Sequence, residues 1–203
     1  MPTVVKSPVL FAGENPGIRL VRPGTSDVVA LASYWRCTYS AHGEGDVLIL
    51  WVASGMAGLG EHGLRAIYTD NVPMARFVTA TFNQYFGGYQ EKDFPSVQPE
   101  AARFLQEPDG DRSYRVVCYA GDRTVELVWR DVISRQLMIF SDTQYGHRNF
   151  DTATVMCPCT GASITVDGQA VSGEAQPTER EGRPWSSAFL AFAETWTENL
   201  PTT

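Results

Sequence analysis

The sequence predicts a mainly β protein of the α+β class, with an antiparallel, barrel-like sheet and one packed amphipathic helix at about residues 72–86. In the segment 113–142, three runs of β-branched and aromatic residues follow one another, and the turn Gly121-Asp122 joins the first two. Runs of this kind bounded by Gly and Asp form antiparallel ribbons. The same strand pattern recurs in the sequence before and after a single segment whose aromatic residues are at helical spacing. These observations together predict a sheet with one helix packed against it.

The first half of the chain is predicted to contain four strands and the helix. Residues 1–17 read as an irregular arm, because three prolines interrupt any regular element. Strands are expected at 18–21, 27–39, 47–53 and 64–69, and the third is so continuously apolar that it should be buried on both faces. Asp70 or Asn71 can cap the helix, and Gly87-Gly88 suits its end.

The second half is predicted to be mostly strands. A short helix is expected at 100–106, followed by the ribbon, a loop at 142–151, strands at 152–157, 162–166 and 169–171, and a long loop at 172–183. The segment Trp185 to Glu198 has neither proline nor glycine and can be helix or strand. Aromatic residues interleaved with alanines favour the strand, whereas alanine and glutamate favour helix intrinsically.

Length and charge narrow the class of protein. The chain has 203 residues and no shift in composition that marks a boundary, which predicts a single domain, 1–203. The net charge of −7, without a basic block, disfavours nucleic acid as a partner. No apolar run approaches the roughly twenty residues of a membrane span. A cytoplasmic location is therefore expected.

Neither a metal nor a cofactor is predicted. Cys37 and Cys118 lie in apolar strand sequence and are expected to be core residues. The pair Cys157 and Cys159 can bind metal or form a strained disulfide, but no second pair of cysteines or histidines stands at zinc-site spacing. The three histidines form neither an H-x-H nor an H-E-x-x-H motif.

A candidate catalytic group lies in the segment that follows the ribbon. His147 stands between acidic residues, and a carboxylate that orients a histidine makes it a general base. We assign His147 as the base, Asp142 as the group that orients it and Tyr145 as a polar anchor. A solvated polar loop explains the same residues without any chemistry.

Aromatic residues on strands and on the helix predict an apolar pocket, for which we name the substrate-binding candidates Trp35, Phe82, Glu126, Trp129 and Arg130. The first hypothesis is a cofactor-independent enzyme with general acid–base chemistry, of lyase or hydrolase type, acting on an apolar or aromatic small molecule. The second is a ligand carrier without catalysis, and the third is an oligomerising structural module with an exposed apolar face. A homo-oligomer is compatible with all three.

Overall fold

The computed structural model describes residues 8–109 and 113–199, and the fold within them is mainly β. The first half contains six strands: β1 (Val9–Glu14), β2 (Gly17–Val21), β3 (Val28–Ser40), β4 (Gly45–Val52), β5 (Leu64–Thr69) and β6 (Pro99–Ala101). Helix α1 (Val72–Thr81) lies between β5 and β6. Short 3₁₀ turns occupy Gly60–His62, Asn83–Tyr85, Gln90–Lys92 and Phe94–Ser96.

The second half contains nine strands. They are β7 (Arg103–Asp109), β8 (Ser113–Ala120), β9 (Arg123–Val132), β10 (Gln136–Tyr145), β11 (Arg148–Val166), β12 (Gln169–Ala170), β13 (Pro177–Arg180), β14 (Arg183–Ser186) and β15 (Ala188–Glu198). Trp185 to Glu198 is therefore strand, as favoured from the sequence. The expected turn at Gly121-Asp122 joins β8 to β9.

Thirteen of the strands form one mixed sheet, in the order β6-β5-β4-β3-β1-β15-β11-β9-β8-β7. Strands β10 and β12 pair with β11, and β2 lies beside both β3 and β15. The pair β5 and β6 is parallel, so the expectation of a purely antiparallel sheet is wrong at that point. Strands β13 and β14 form a separate hairpin.

Two apolar cores lie on opposite faces of the central strands. Side chains on β3 alternate between them, so that Tyr34 enters one core and its neighbour Trp35 enters the other. Strand β4 is buried on both faces as predicted, with Leu48 and Leu50 in the first core and Val47 and Ile49 in the second. Strands β8 and β9 cover the first core, and α1 covers the second.

Helix α1 begins where the sequence predicts and ends earlier. The side chain of Asn71 accepts a hydrogen bond from the backbone N–H of Met74 at 3.1 Å, which caps the first turn. The regular helix ends at Thr81 instead of residue 86, and the chain tightens into the 3₁₀ turn Asn83–Tyr85. The aromatic stripe continues through this turn, which is why helical spacing extended the prediction too far.

Three predictions of irregular or helical structure are wrong. Residues 9–14 are strand β1, because Phe11 is fully buried between neighbouring strands; residues 1–7 lie outside the described residues. Residues 100–106 belong to β6 and β7 instead of a helix, since both pair with neighbouring strands. The expected loop 142–151 is a hairpin that turns at Gly146-His147, and the expected loop 172–183 contains most of the hairpin β13–β14.

Within the residues that the structure describes, no helix has the length and apolar character needed to cross a membrane. A cytoplasmic location stays a prediction.

Candidate functional site

A cleft of about 610 Å³ opens on the face of the sheet that α1 covers. Its volume lies within the range of small-molecule pockets, roughly 300–1,000 Å³. Strands β2, β3, β10, β11 and β15, the segment after α1 and the hairpin β13–β14 contribute to its lining. Eight of the lining residues carry aromatic rings: Tyr85, Phe86, Tyr89, Phe140, Tyr145, Trp185, Phe189 and Trp196.

The most buried ionisable group of the cleft is Glu194, whose residue is only 4% exposed. Trp196 Nε1 donates a hydrogen bond to Glu194 Oε1 at 2.6 Å, and Asn15 Nδ2 donates to the same oxygen at 3.4 Å. Ser33 Oγ in turn donates to Asn15 Oδ1 at 3.0 Å, which fixes the amide orientation. The carboxyl is therefore held by a chain of polar groups within an apolar surrounding.

Burial raises the pKa of Glu194 from 4.5 to about 7, although hydrogen bonds from Trp196, Asn15 and Thr154 act in the opposite direction. Desolvation disfavours the charged carboxylate, and here it outweighs the donors. At neutral pH the group is present both protonated and ionised, so it can accept or release a proton. A group poised in this way is a candidate for general acid–base chemistry.

A β-bulge turns Glu194 towards the cleft. Strand β15 pairs Thr195 with Ala153 and Phe192 with Val155, so one extra residue lies on β15 between these pairs. Ala193 is at this bulge, and its φ of 49° lies in the left-handed region. Phe192 packs against the core on the other face, and strict alternation would have placed Glu194 beside it.

We define the inner end of the cleft by the buried residues around Glu194. Alternate residues of β11 line this inner end. Thr152, Thr154 and Met156 follow the core residue Phe150 on the same face of the strand. The hydroxyl of Thr152 is buried and has no hydrogen-bond partner among the described residues. A buried polar atom of this kind is a ready partner for a ligand.

Gly17 also lines the cleft, where a side chain would displace a neighbouring ring. A Cβ atom at this position would approach the ring of Phe189 to 2.7 Å. The carbonyl oxygen of Gly17 accepts a hydrogen bond from Trp129 Nε1 at 2.9 Å. Trp129 belongs to the core on the other face and so holds this part of the cleft from behind.

The structure separates the three predicted catalytic residues. Tyr145 lines the cleft, where its ring stacks on that of Tyr85 at 5.2 Å. Burial raises the pKa of Tyr145 to about 12, and the charge of Glu194 acts in the same direction, so the phenol stays protonated. His147 and Asp142 are exposed and are not among the lining residues.

Asp142 and His147 lie outside the cleft because their segment is a hairpin. Asp142 accepts a hydrogen bond from Asn149 Nδ2 at 2.8 Å, and its own N–H donates to Asp151 Oδ1 at 2.8 Å. These hydrogen bonds join the two strands of the hairpin to each other. The predicted base and the group meant to orient it therefore do not converge with Tyr145 on one cavity.

None of the five predicted substrate-binding residues lines the cleft, although three contact its lining from behind. Trp35 stacks on Phe86 at 5.8 Å, and Phe82 lies 4.6 Å from Trp196, measured between ring centroids. Trp129 belongs to the core on the other face and contacts the lining through its hydrogen bond to Gly17. The other two lie on the same strand away from the cleft: Arg130 is exposed, and Glu126 pairs with Arg115 at 2.7 Å.

The cysteines do not form the disulfide that the sequence left open. Cys37, Cys118, Cys157 and Cys159 are all free and buried. Burial raises the pKa of Cys159 to about 12, so its thiol is not ionised at neutral pH. Among the described residues, no group of three or more His, Cys, Asp or Glu side chains is arranged to hold a metal ion.

Sequence reasoning missed Glu194, Asn15, Ser33 and Thr152. One signal was present: Glu194 is the only charged residue in the apolar stretch from Ala188 to Trp196. A single carboxyl in such a strand is either solvated on the outer face or buried with polar partners. Alternation alone could not decide between these readings.

Comparison with protein families, with curated proteins and with solved structures found no match to this chain.

Proposed function

We propose that the protein binds an apolar or aromatic small molecule in the cleft and that Glu194 exchanges a proton with it. The observation that carries this proposal is a carboxyl buried among rings, at the inner end of a cleft, with a pKa of about 7. Residues whose pKa is strongly shifted by burial in a cleft are common at functional sites. A solvated carboxylate would offer no such proton exchange near neutral pH.

The chemistry proposed is that of a cofactor-independent enzyme. Ionised Glu194 would act as the general base and protonated Glu194 as the general acid, as in a lyase or a hydrolase. Tyr145 would donate a hydrogen bond to a substrate oxygen, because its raised pKa keeps the phenol protonated. This assignment replaces His147 with Glu194 and keeps Tyr145 as the polar anchor.

The barrel-like sheet predicted from the sequence is part of the same proposal. Strands β1 and β2 both lie between β3 and β15, and the chain kinks between them at Asn15-Pro16. Curvature here would bring Asn15 and Ser33 towards Glu194, which their hydrogen bonds support. We infer that this bend curves the sheet around the inner end of the cleft, as a barrel wall curves around a ligand cavity.

A carrier without catalysis is the second candidate, and the number of rings in the cleft favours it. Rings bind flat apolar ligands without any need for a titratable group. In that function the proton equilibrium of Glu194 would control only the affinity. The two candidates differ in whether a bound molecule is chemically changed.

Binding in the cleft is tested with N-phenyl-1-naphthylamine, a neutral probe that fluoresces in apolar surroundings. Gly87 lines the cleft, and nothing lies within 4 Å of a Cβ atom placed there. We expect Gly87→Trp to fill the opening and abolish probe binding, while Gly87→Ala preserves it. Equal binding by both variants and the wild type would place the probe elsewhere and exclude the cleft.

Catalysis is tested by mass spectrometry on a panel of aryl esters, aryl amides and aromatic hydroxy acids. If the enzyme proposal holds, Glu194→Gln slows consumption of an accepted compound by about 100-fold to 10,000-fold. The matched variant His147→Gln should keep the wild-type rate, since this residue lies outside the cleft. Recovery of every bound compound unchanged would favour the carrier, and a loss confined to His147→Gln would restore the original assignment.

The structural-module hypothesis has one specific observation in its favour. Leu137 and Ile139 on β10 are 66% and 68% exposed, and this strand pairs only with β11 among the described strands. Exposed apolar edge strands promote association. Sedimentation of the wild type and of Ile139→Lys decides whether a homo-oligomer forms through this edge.

A further inference from the structure

The outer part of the cleft, which we call its mouth, carries two arginines. Arg19 on β2 and Arg180 on β13 both line the cleft and both are exposed. Neither makes an ion pair with any described residue, whereas Arg115 and Arg148 elsewhere are paired with glutamates. Glu194 at the inner end is the only acidic residue of the lining. The mouth is thus positively charged in a chain whose net charge is −7.

A shared framework positions the elements that carry the two arginines. Ser187 Oγ donates a hydrogen bond to the carbonyl oxygen of Arg19 at 2.8 Å and accepts one from the N–H of Gln176 at 2.8 Å. Gln176 directly precedes β13, so one hydroxyl ties the strand of Arg19 to the base of the hairpin that carries Arg180. The guanidinium of Arg180 lies 5.5 Å from the centroid of the Trp185 ring, and this contact restrains it.

Between the mouth and the inner end, the cleft offers flat surfaces. Tyr85 and Tyr145 stack with an interplanar angle of 9°, and Phe86 and Trp196 lie nearly parallel at 28°. Another aromatic ring can pack on the outer face or the edge of such a pair, and aromatic pairs gain energy beyond the area that they bury. The three parts therefore differ in chemistry: cations outside, rings in the middle, and a carboxyl with a free hydroxyl inside.

We propose that the ligand is a planar aromatic compound with one acidic group, bound with that group at Arg19 and Arg180 and with its ring directed towards Glu194. This inference rests on the proposed function, because it takes the cleft as the binding site. Arginine matches carboxylates and related acids in hydrogen-bond geometry. The acidic protein would repel such an anion at long range, and the local pair of arginines counteracts this repulsion.

The test compares two fluorescent probes with the same scaffold. 1-Anilinonaphthalene-8-sulfonate carries an acidic group, and N-phenyl-1-naphthylamine lacks it. We expect the double variant Arg19→Gln/Arg180→Gln to weaken binding of the sulfonate probe by at least about tenfold, which corresponds to the loss of one charge-assisted hydrogen bond. Binding of the neutral probe should change by less than about twofold, because the rings remain in place.

The matched control is Arg76→Gln/Arg130→Gln, which removes the same charge from exposed positions outside the cleft lining. It should leave the affinity for both probes unchanged. As a second measurement, 1-naphthoate should displace the sulfonate probe from the wild type at concentrations where 1-naphthalenemethanol does not.

Two results would overturn the inference: an equal loss in the two double variants, or equal displacement by the acid and the alcohol. Either result leaves the proposed function standing, provided that Gly87→Trp still abolishes binding of the neutral probe. If Gly87→Trp leaves that binding intact, the cleft is not the site, and both proposals fall.

Discussion

Each face of the central sheet holds a carboxyl that is at least partly buried, and the surroundings of the two carboxyls differ. On the face covered by β8 and β9, Asp46 accepts hydrogen bonds from Tyr34 Oη and, at 3.0 Å, from Gln106 Nε2. On the face covered by α1, Glu194 lines a cleft of about 610 Å³. Burial raises the pKa of both carboxyls. Glu194 lines the cleft, whereas Asp46 is not among the lining residues.

The difference shows that a shifted pKa does not identify a functional group by itself. The backbone of Asp46 is bonded to its neighbours: its N–H donates to Asp70 Oδ1 at 2.7 Å, and its carbonyl accepts from Thr69 Oγ1 at 2.8 Å. Tyr34 and Gln106 both donate hydrogen bonds to the side chain of Asp46. The hydrogen bonds of both carboxyls come from neighbouring protein groups, so what distinguishes Glu194 is the ligand-sized cleft that it lines.

The largest expected effect is on the aromatic core behind the cleft. Phe82 contacts four other rings, including Trp35 and Trp196. Phe82→Ala should lower the free energy of unfolding by about 3–5 kcal/mol, because it leaves a cavity in a packed core. Urea denaturation measures this loss, with Phe82→Leu as the milder control. A loss below about 1 kcal/mol would mean that this face is loosely packed.

The pH dependence of stability should distinguish Glu194 from its neighbours. Its pKa is about 7 in the folded protein against 4.5 for the unperturbed group. The folded state binds the proton of Glu194 more tightly than the unfolded state does. The contribution of this proton to the stability of the fold is therefore complete below pH 4.5 and is lost as the pH rises through 7. Relative to Glu194→Gln, the wild type should lose about 2.5 kcal/mol between pH 5 and pH 8.

Urea denaturation of both proteins at the two pH values measures that difference. The control is Glu61→Gln, a substitution at an exposed residue outside the cleft lining, which should follow the wild type at both values. Parallel pH profiles for Glu194→Gln and the wild type would mean that the carboxyl is hydrated and is not a proton-exchanging group.

On the other face, Tyr34→Phe should affect stability without affecting the cleft. Removal of the hydroxyl leaves Asp46 without one of its donors, which should cost about 1–3 kcal/mol of unfolding free energy. Affinity for N-phenyl-1-naphthylamine should match that of the wild type, as measured by fluorescence titration. Weaker probe binding would show that the two faces are coupled and that the comparison between them is too simple.

The smallest expected effect concerns the bulge that separates the two faces on β15. Ala193 has φ of 49°, a conformation that costs a residue with a Cβ atom roughly 1–2 kcal/mol. Ala193→Gly should relieve this strain and, after the greater chain entropy of glycine, stabilise the protein by up to about 1 kcal/mol. Thermal unfolding measures this change in stability, and Ala191→Gly serves as the destabilising control on the same strand. A loss at Ala193 equal to that at Ala191 would argue against the bulge.

Much of the fold could be predicted from local patterns. The apolar run at 47–53, the ribbon at 113–132 and the start of α1 are found where the sequence places them, because side-chain period and capping act over a few residues. Two kinds of prediction failed. Strand β1 was missed because it pairs with β15 nearly two hundred residues away. The segment 142–151 of the hairpin β10–β11 and the hairpin β13–β14 pair locally, but their polar sequences carry no strand pattern.

The candidate site could be predicted only in part. Tyr145 lines the cleft, and Phe82 and Trp35 lie one layer behind it. His147 was chosen because of its acidic neighbours in sequence, but closeness in sequence placed it in a hairpin turn and not beside a cavity. Glu194 was overlooked because a bulge reversed the face on which alternation would place it.

By itself the sequence determined that the chain forms a mainly β protein with one helix, a fully buried central strand and abundant rings on its strands. These properties follow from residue periodicity and propensity, which are local. The tertiary structure alone decided which carboxyl is buried beside open volume, because that depends on a register shift of one residue at Ala193 and on contacts between Asn15, Ser33 and Glu194. Such contacts join residues that are far apart in the chain, so no local pattern records them.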